Sequence, residues 1–171
     1  MKPMAMNPMV PHGAALVAAA AAVALSALSL DAFAREKEPR RLDCAELTQL
    51  AFPGNTTVTA AAMVTTGTLV TPTNITLTDL PEFCRVQGVS KPSSDSNIYY
   101  EVWLPTQWNG RFLSSGEGGY VGALNYTRRG LDGGLDEIVR RGYATTSTDT
   151  GHVATDTYWA VGHPERAKDY L

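Results

Sequence analysis

"RFLSSGEGGYVG", Arg111 to Gly122, runs from a short apolar stretch into four glycines within seven positions. Glycine reaches positive φ without steric penalty and lets another group come close to the main chain. The cluster is therefore either a tight turn or a surface of bared backbone N–H groups. The residues downstream define the unit around it. Leu131, Leu135, Ile138 and Val139 recur at helical spacing, Arg140 and Arg141 suit a last turn, and Gly142 suits the position beyond it. "YATTSTDTG", Tyr143 to Gly151, then reads as a strand. Strand, glycine loop, helix and strand make a βαβ unit, which predicts parallel strands joined by a right-handed crossover.

Upstream, "NIYYEVWLP" (Asn97 to Pro105) places Ile98, Tyr100, Val102 and Leu104 on one face and Tyr99, Glu101 and Trp103 on the other. That is the period of a half-buried strand, and Pro105 ends it. Asn109-Gly110 is a turn signal, so "RFLSS" is expected to fold back beside this strand as an antiparallel pair. Nearer the N-terminus, "NTTVTAAAMVTTGTLV" is rich in Thr and Val and reads as one or two strands. A short helix is expected from Cys44 to about Leu50, before Pro53-Gly54. In "GHPERAKDYL", Pro164 and Glu165 suit the first turn of a final helix, which the last residue, Leu171, does not complete.

The composition is globular, with 44% hydrophobic and 18% charged residues and a formal net charge of −3. No basic excess or Lys/Arg-rich run offers a footprint for nucleic acid or an anionic membrane surface. Residues 1–34 read as a signal peptide: Lys2 in a polar start, an apolar run from Ala14 to Leu30, and Ala32-Phe33-Ala34 as the small-x-small cleavage pattern. An uncleaved anchor is the alternative. Cleavage would leave about 137 residues, room for one modest domain, with 35–43 as a flexible charged lead-in and no membrane association. The expected location is secreted or periplasmic. There, two cysteines, Cys44 and Cys84, read as one disulfide rather than two thiols, worth about 4 kcal/mol in the chain-entropy account. Three N-x-[ST] patterns begin at Asn55, Asn74 and Asn125; such short patterns arise often by chance.

A glycine-rich loop between strand and helix can hold a phosphate or aim N–H groups at a developing oxyanion. "GEGGYVG" has neither the G-x-G-x-x-G spacing nor a G-K-[ST] ending, so the phosphate reading fails. The oxyanion reading fits better, because α/β-hydrolases build half of their hole from the loop after the third strand. Gly118 and Gly119 are the candidate donors.

The ordered set F-C-R-V, W-L-P-x-x-W-N-G-R-F, G-x-G-G, S-T-D-T-G-H and G-H-P-E, carried between Phe83 and Glu165, resembles the tannase and feruloyl esterase family. The likeness extends over about Cys44 to Leu171. It implies an α/β-hydrolase: an antiparallel strand pair leading into a βαβ unit, here the N-terminal part of the sheet, ending before the nucleophile elbow. It further implies a secreted serine esterase acting on small aromatic-acid esters such as gallates or ferulates, with a large inserted lid. The family's Ser-Asp-His triad, with its nucleophile in G-C-S-x-G-G, is not in this sequence, so this segment alone is expected to be inactive. No cofactor is expected in the segment; a structural calcium, which the resemblance allows, would belong to the lid.

The remaining polar residues have plainer readings. His152 and His163 are expected to be structural, the latter shaping the start of the last helix. Ser114, Ser115 and Ser147 lack the elbow that exposes a nucleophile, and Asp149 is expected to hold the turn after its strand. A non-catalytic exported β-rich binding module, or a gene remnant, is the rival function class; an open frame downstream encoding G-C-S-x-G-G and a later H-C would support the esterase, and its absence would favour the remnant.

Overall fold

The structure is a computed structural model that describes residues 42–116, 119, 122–127 and 133–170. The segment expected to be a signal peptide and most of the expected lead-in lie outside these residues, as do Leu131 and Gly118. The chain opens with a 3-10 helix, Cys44–Gln49, closed at its start by the Asp43 N–H donating to the Glu46 carboxylate at 2.9 Å. Seven strands follow: β1 (Thr56–Val64), β2 (Leu69–Val70), β3 (Thr76–Leu77), β4 (Phe83–Ser90), β5 (Ile98–Pro105), β6 (Phe112–Ser114) and β7 (Ala144–Thr148). Helix α1 (Leu135–Arg140) connects β6 to β7, and α2 (Pro164–Tyr170) comes last. The Thr/Val-rich tract thus holds two strands, and the first helix is of the tighter 3-10 form.

Five strands form one sheet in the order β1-β4-β5-β7-β6, and β2 pairs with β3 separately. The pairs β1–β4, β4–β5 and β5–β7 are antiparallel, whereas β6 and β7 are parallel, Leu113 facing Thr145. The βαβ unit is therefore present. The expected pairing of "RFLSS" with the preceding strand is not. β5 and β6 do run in opposite directions, but the crossover through α1 lays β7 between them, with Trp103 opposite Thr145. The turn residues act elsewhere: Asn109 accepts the Arg111 N–H, and its amide donates to the Arg141 carbonyl at the end of α1.

Helix α1 buries Leu135, Ile138 and Val139 completely. It ends in a Schellman arrangement, with Gly142 at φ 77°, its N–H on the Val139 carbonyl and the Tyr143 N–H on that of Ile138. The core gathers Leu77, Leu80, Phe83, Trp103, Tyr126, Leu135 and Val139, and the Phe83 and Trp103 rings stack at 4.5 Å.

β5 buries the face opposite to its purely apolar one. Glu101 is 3% and Trp103 0% exposed, whereas Leu104 is 37% exposed. The charged residue can be inside because it is fully paired. Glu101 accepts from Arg85, Gln87, the Trp103 indole N–H at 2.8 Å and the Tyr126 hydroxyl at 2.8 Å. Arg85 and Gln87 reach it from the neighbouring β4.

Cys44 and Cys84 are bonded, tying the 3-10 helix to β4. Non-reducing peptide mapping by mass spectrometry should recover the linked pair. The double Cys→Ser variant should lose about 4 kcal/mol of stability in urea titrations. An unchanged urea midpoint would show that the bond adds nothing to the sheet.

Asn55 and Asn74 sit in exposed turns at positive φ, whereas Asn125 is buried and hydrogen-bonded.

Candidate functional site

Because β6 and β7 are parallel, the segments after both leave the same edge of the sheet. These are the glycine loop after Ser114 and the turn of Asp149 to Val153. In open α/β sheets, ligands bind at this carboxyl edge.

Both flanks of the glycine loop are fastened. Upstream, the Ser115 N–H donates to the Thr146 carbonyl at 2.8 Å and its hydroxyl to the Gly133 carbonyl at 3.0 Å. Downstream, the Asn125 N–H donates to Ser147 Oγ at 2.9 Å and its side-chain amide to Ser115 Oγ at 2.7 Å. Tyr126, the next residue, is held by Glu101. Ser115 and Ser147 are thus committed as buried cross-links, while Ser114 lies exposed on β6. Gly119 is exposed at φ 72°, a backbone that suits glycine and few other residues. Gly118, its companion candidate, lies outside the described residues.

The turn after β7 is strained and over-determined. Thr150, a β-branched residue, sits at φ 53° and Gly151 at φ 79°. Asp149 Oδ1 accepts the N–H groups of Tyr99 and Gly151, each at 2.9 Å, so Asp149 does hold its turn. Burial raises the Asp149 pKa above the usual carboxylate range, and those two N–H donors oppose the shift. His152 is 6% exposed and its Nδ1 lies 3.2 Å from Thr150 Oγ1. Its ring stacks on Trp159 at 4.4 Å. Its Nε2 is buried without a hydrogen-bond partner. The hydroxyl beside its Nδ1, that of Thr150, itself donates to the Asp149 carbonyl at 2.7 Å. His163 joins the start of α2 to Asp95 through Nδ1 and Oδ2, 2.8 Å apart, in keeping with a structural role.

Gly122, the last glycine of the loop, packs directly on this turn. A Cβ there would lie 2.5 Å from the His152 carbonyl oxygen and 2.7 Å from the Ala154 nitrogen, both main-chain atoms that cannot swing aside. Gly122→Ala should therefore cost about 1–3 kcal/mol by overpacking. Thermal denaturation measures this; an unshifted Tm would mean that the turn yields.

A cleft of about 560 Å³ opens between these segments, lined among others by Tyr99, Gly122, Leu124, Tyr126, Asp149 and His152. Its size and mainly apolar wall, with a few polar groups, suit a small organic ligand. Among the described residues, no group of three or more His, Cys, Asp or Glu is placed to hold a metal ion.

Glu101, Gly122 and Tyr170 were not singled out from the sequence. Glu101 left one signal, its place on the same strand face as Trp103. The close approach at Gly122 and the reach of Tyr170 to the loop left none, since both depend on segments distant in the chain.

Comparison with known proteins agrees with this architecture. The sequence profile described as "Tannase and feruloyl esterase" matches residues 84–171. An uncharacterised esterase of Xanthomonas campestris pv. campestris is 42% identical over 130 residues, which is 74% of this chain and 21% of that protein. A probable feruloyl esterase B-1 of Aspergillus terreus is 35% identical over 89 residues, or 52% of this chain and 16% of that protein. The crystal structure of feruloyl esterase B from Aspergillus oryzae superposes with a TM-score of 0.62 at 29% identity, covering 74% of this chain and 25% of that one. The chain thus spans about a fifth of the length of these curated relatives. The mixed sheet with its βαβ unit is that of an α/β-hydrolase, and the chain belongs to the tannase and feruloyl esterase family.

Proposed function

We propose that this chain is the N-terminal part of a secreted serine esterase that hydrolyses small aromatic-acid esters through an acyl-enzyme, and that its glycine loop supplies half of the oxyanion hole. The observation that carries this reading is the position of the loop. It leaves the carboxyl end of β6 beside the parallel β7 and borders a cleft, in a chain of esterase lineage. When a serine oxygen adds to the ester carbonyl, the carbonyl oxygen takes up negative charge. Backbone N–H groups already aimed at it stabilise that charge without reorganising. Collapse of the tetrahedral intermediate expels the alcohol, and water then releases the aromatic acid from the serine.

The nucleophile, the base and the group orienting that base would come from residues beyond this sequence, which contains no G-x-S-x-G elbow. Residues 1–34 would direct export, and the Cys44–Cys84 bond suits an oxidising compartment. The test pairs the purified 171-residue chain with a complete esterase that carries it, each incubated with a chromogenic aryl ester and with methyl gallate. The complete enzyme should turn over both and be inactivated by a serine-directed phosphonate, and the chain alone should turn over neither. Hydrolysis that co-purifies with the chain alone would overturn the reading.

A further inference from the structure

Most polar side chains that line the 560 Å³ cleft are already engaged. Gln87 and the Tyr126 hydroxyl donate to Glu101, whose charge Arg85 answers. The Tyr100 hydroxyl donates to the Thr57 carbonyl at 3.3 Å. His152 keeps Nδ1 on Thr150, and its Nε2 is buried.

Asp149 differs from these. Its Oδ1 accepts the N–H groups of Tyr99 and Gly151, each at 2.9 Å, which is all that the turn requires. An asparagine carbonyl would do that work equally well. Oδ2 has no hydrogen-bond partner among the described residues, although burial opposes the charge it shares. Asp149 also lines a second cleft, of about 270 Å³, which shares Tyr99, His152 and Val153 with the first. The free oxygen thus belongs to a residue in the wall common to both.

Charge selects what such an oxygen can bind. Among the described residues, no lysine or arginine lines the larger cleft, whereas the carboxylates of Glu101 and Asp149 do. An anionic ligand would meet repulsion there without a counter-charge, and the mainly apolar remainder of the wall suits a neutral molecule. The donor that a small neutral ester offers to a carboxylate is a hydroxyl.

We propose that Asp149 is a specificity-determining residue of this cleft, its Oδ2 accepting a hydroxyl of the bound ester. The proposal rests on the esterase reading above. The hydroxyl belongs either to the aromatic acid, as a phenol, or to the alcohol, and the chemistry of recognition is the same. A site built around a partly desolvated charged acceptor rejects the analogue that lacks the hydroxyl, because the carboxylate is then left unpaired. Two main-chain N–H groups already hold Oδ1, and the plane of the carboxylate with it, so little ordering remains to be done on binding.

The test couples this side chain to one hydroxyl in a complete esterase that carries the segment. Asp149→Asn keeps the Oδ1 acceptor and the shape, and puts an NH2 group where Oδ2 stands. Two substrate pairs separate the sources: methyl gallate against its tri-O-methyl ether for the acid, and hydroxyethyl benzoate against methoxyethyl benzoate for the alcohol. The wild-type enzyme should favour the hydroxylated member of one pair by roughly 10–100-fold in kcat/KM, the scale of a hydrogen bond to a charged group, mostly through KM. In Asp149→Asn that preference should fall to within about threefold while Tm holds. The pair that responds names the source. A preference that survives in the variant is steric and overturns the proposal, as does a wild-type enzyme with no preference in either pair. A variant whose Tm falls along with its rate on every substrate shows Oδ2 to be structural and overturns it too. Each of these results leaves the esterase reading standing. A complete enzyme that hydrolyses none of the esters removes that reading and the proposal together.

Discussion

On the oxyanion reading, Gly119→Pro in a complete esterase that carries this segment is expected to lower kcat by about 10²–10³, the range for loss of one oxyanion donor, with a much smaller change in KM. Proline acts twice at this position. It removes the N–H and locks φ near −65°, whereas Gly119 sits at φ 72°, so the loop must also re-route. Gly119→Ala separates the two effects, because alanine keeps the N–H and only strains the backbone, at a cost of about 1–2 kcal/mol. Its kcat should lie between wild type and the proline variant. Gly118→Pro is the companion experiment for the other candidate donor. Steady-state kinetics on a chromogenic aryl ester read all three variants, and unchanged kcat in both proline variants would reduce the loop to a plain turn.

Glu101→Ala should destabilise the fold by about 3–5 kcal/mol, the usual result of leaving a buried charge without its partner. The Arg85 side chain is only 14% exposed and its partner's 4%, so neither can turn to water. Burial opposes the charge on Arg85, but the hydrogen bond and the charge of Glu101 more than offset it and hold the guanidinium above its ordinary pKa. Burial, together with the Glu101 charge, likewise pushes the Tyr126 hydroxyl up, so that it stays protonated and donates. Alanine would strand four donor groups at once, those of Arg85, Gln87, Trp103 and Tyr126. Glu101→Gln keeps the shape but gives up the charge and half of the acceptor capacity, so its loss should be smaller. Urea denaturation monitored by tryptophan fluorescence measures both. A loss under about 1 kcal/mol for the alanine variant would show that water replaces the carboxylate. Because Tyr126 borders the downstream flank of the glycine loop, kcat should fall along with stability.

Local pattern carried much of the fold. Leu135, Ile138 and Val139 at helical spacing, with Gly142 beyond, announce α1 and its ending, because a helix buries one stripe and needs a left-handed residue to close. Pro164 and Glu165 announce α2 in the same way. The alternation of β5 was equally plain, but the face it buries was not. Hydrophobicity favoured Ile98, Tyr100, Val102 and Leu104, and the outcome turned on a cation at Arg85, sixteen positions away in sequence and beside Glu101 in the sheet. The neighbour of β6 was hidden for a related reason. A turn signal at Asn109-Gly110 reports that the chain reverses, not which strand will fill the space beside it.

By itself, then, the sequence determined the βαβ unit, the glycine loop at its centre, the cysteine pair and the family, all properties of residues near one another in the chain or of an ordered motif set. Tertiary structure alone decided that β7 separates β5 from β6, that Glu101 lies inside, that Gly122 rests on His152 and that the Tyr170 hydroxyl meets the Gly119 carbonyl. The physical reason is one of range. Propensity and periodicity act within a few residues, whereas pairing a buried charge, seating a glycine against another main chain and bringing a helix hydroxyl to a loop carbonyl require groups that only the folded sheet brings together.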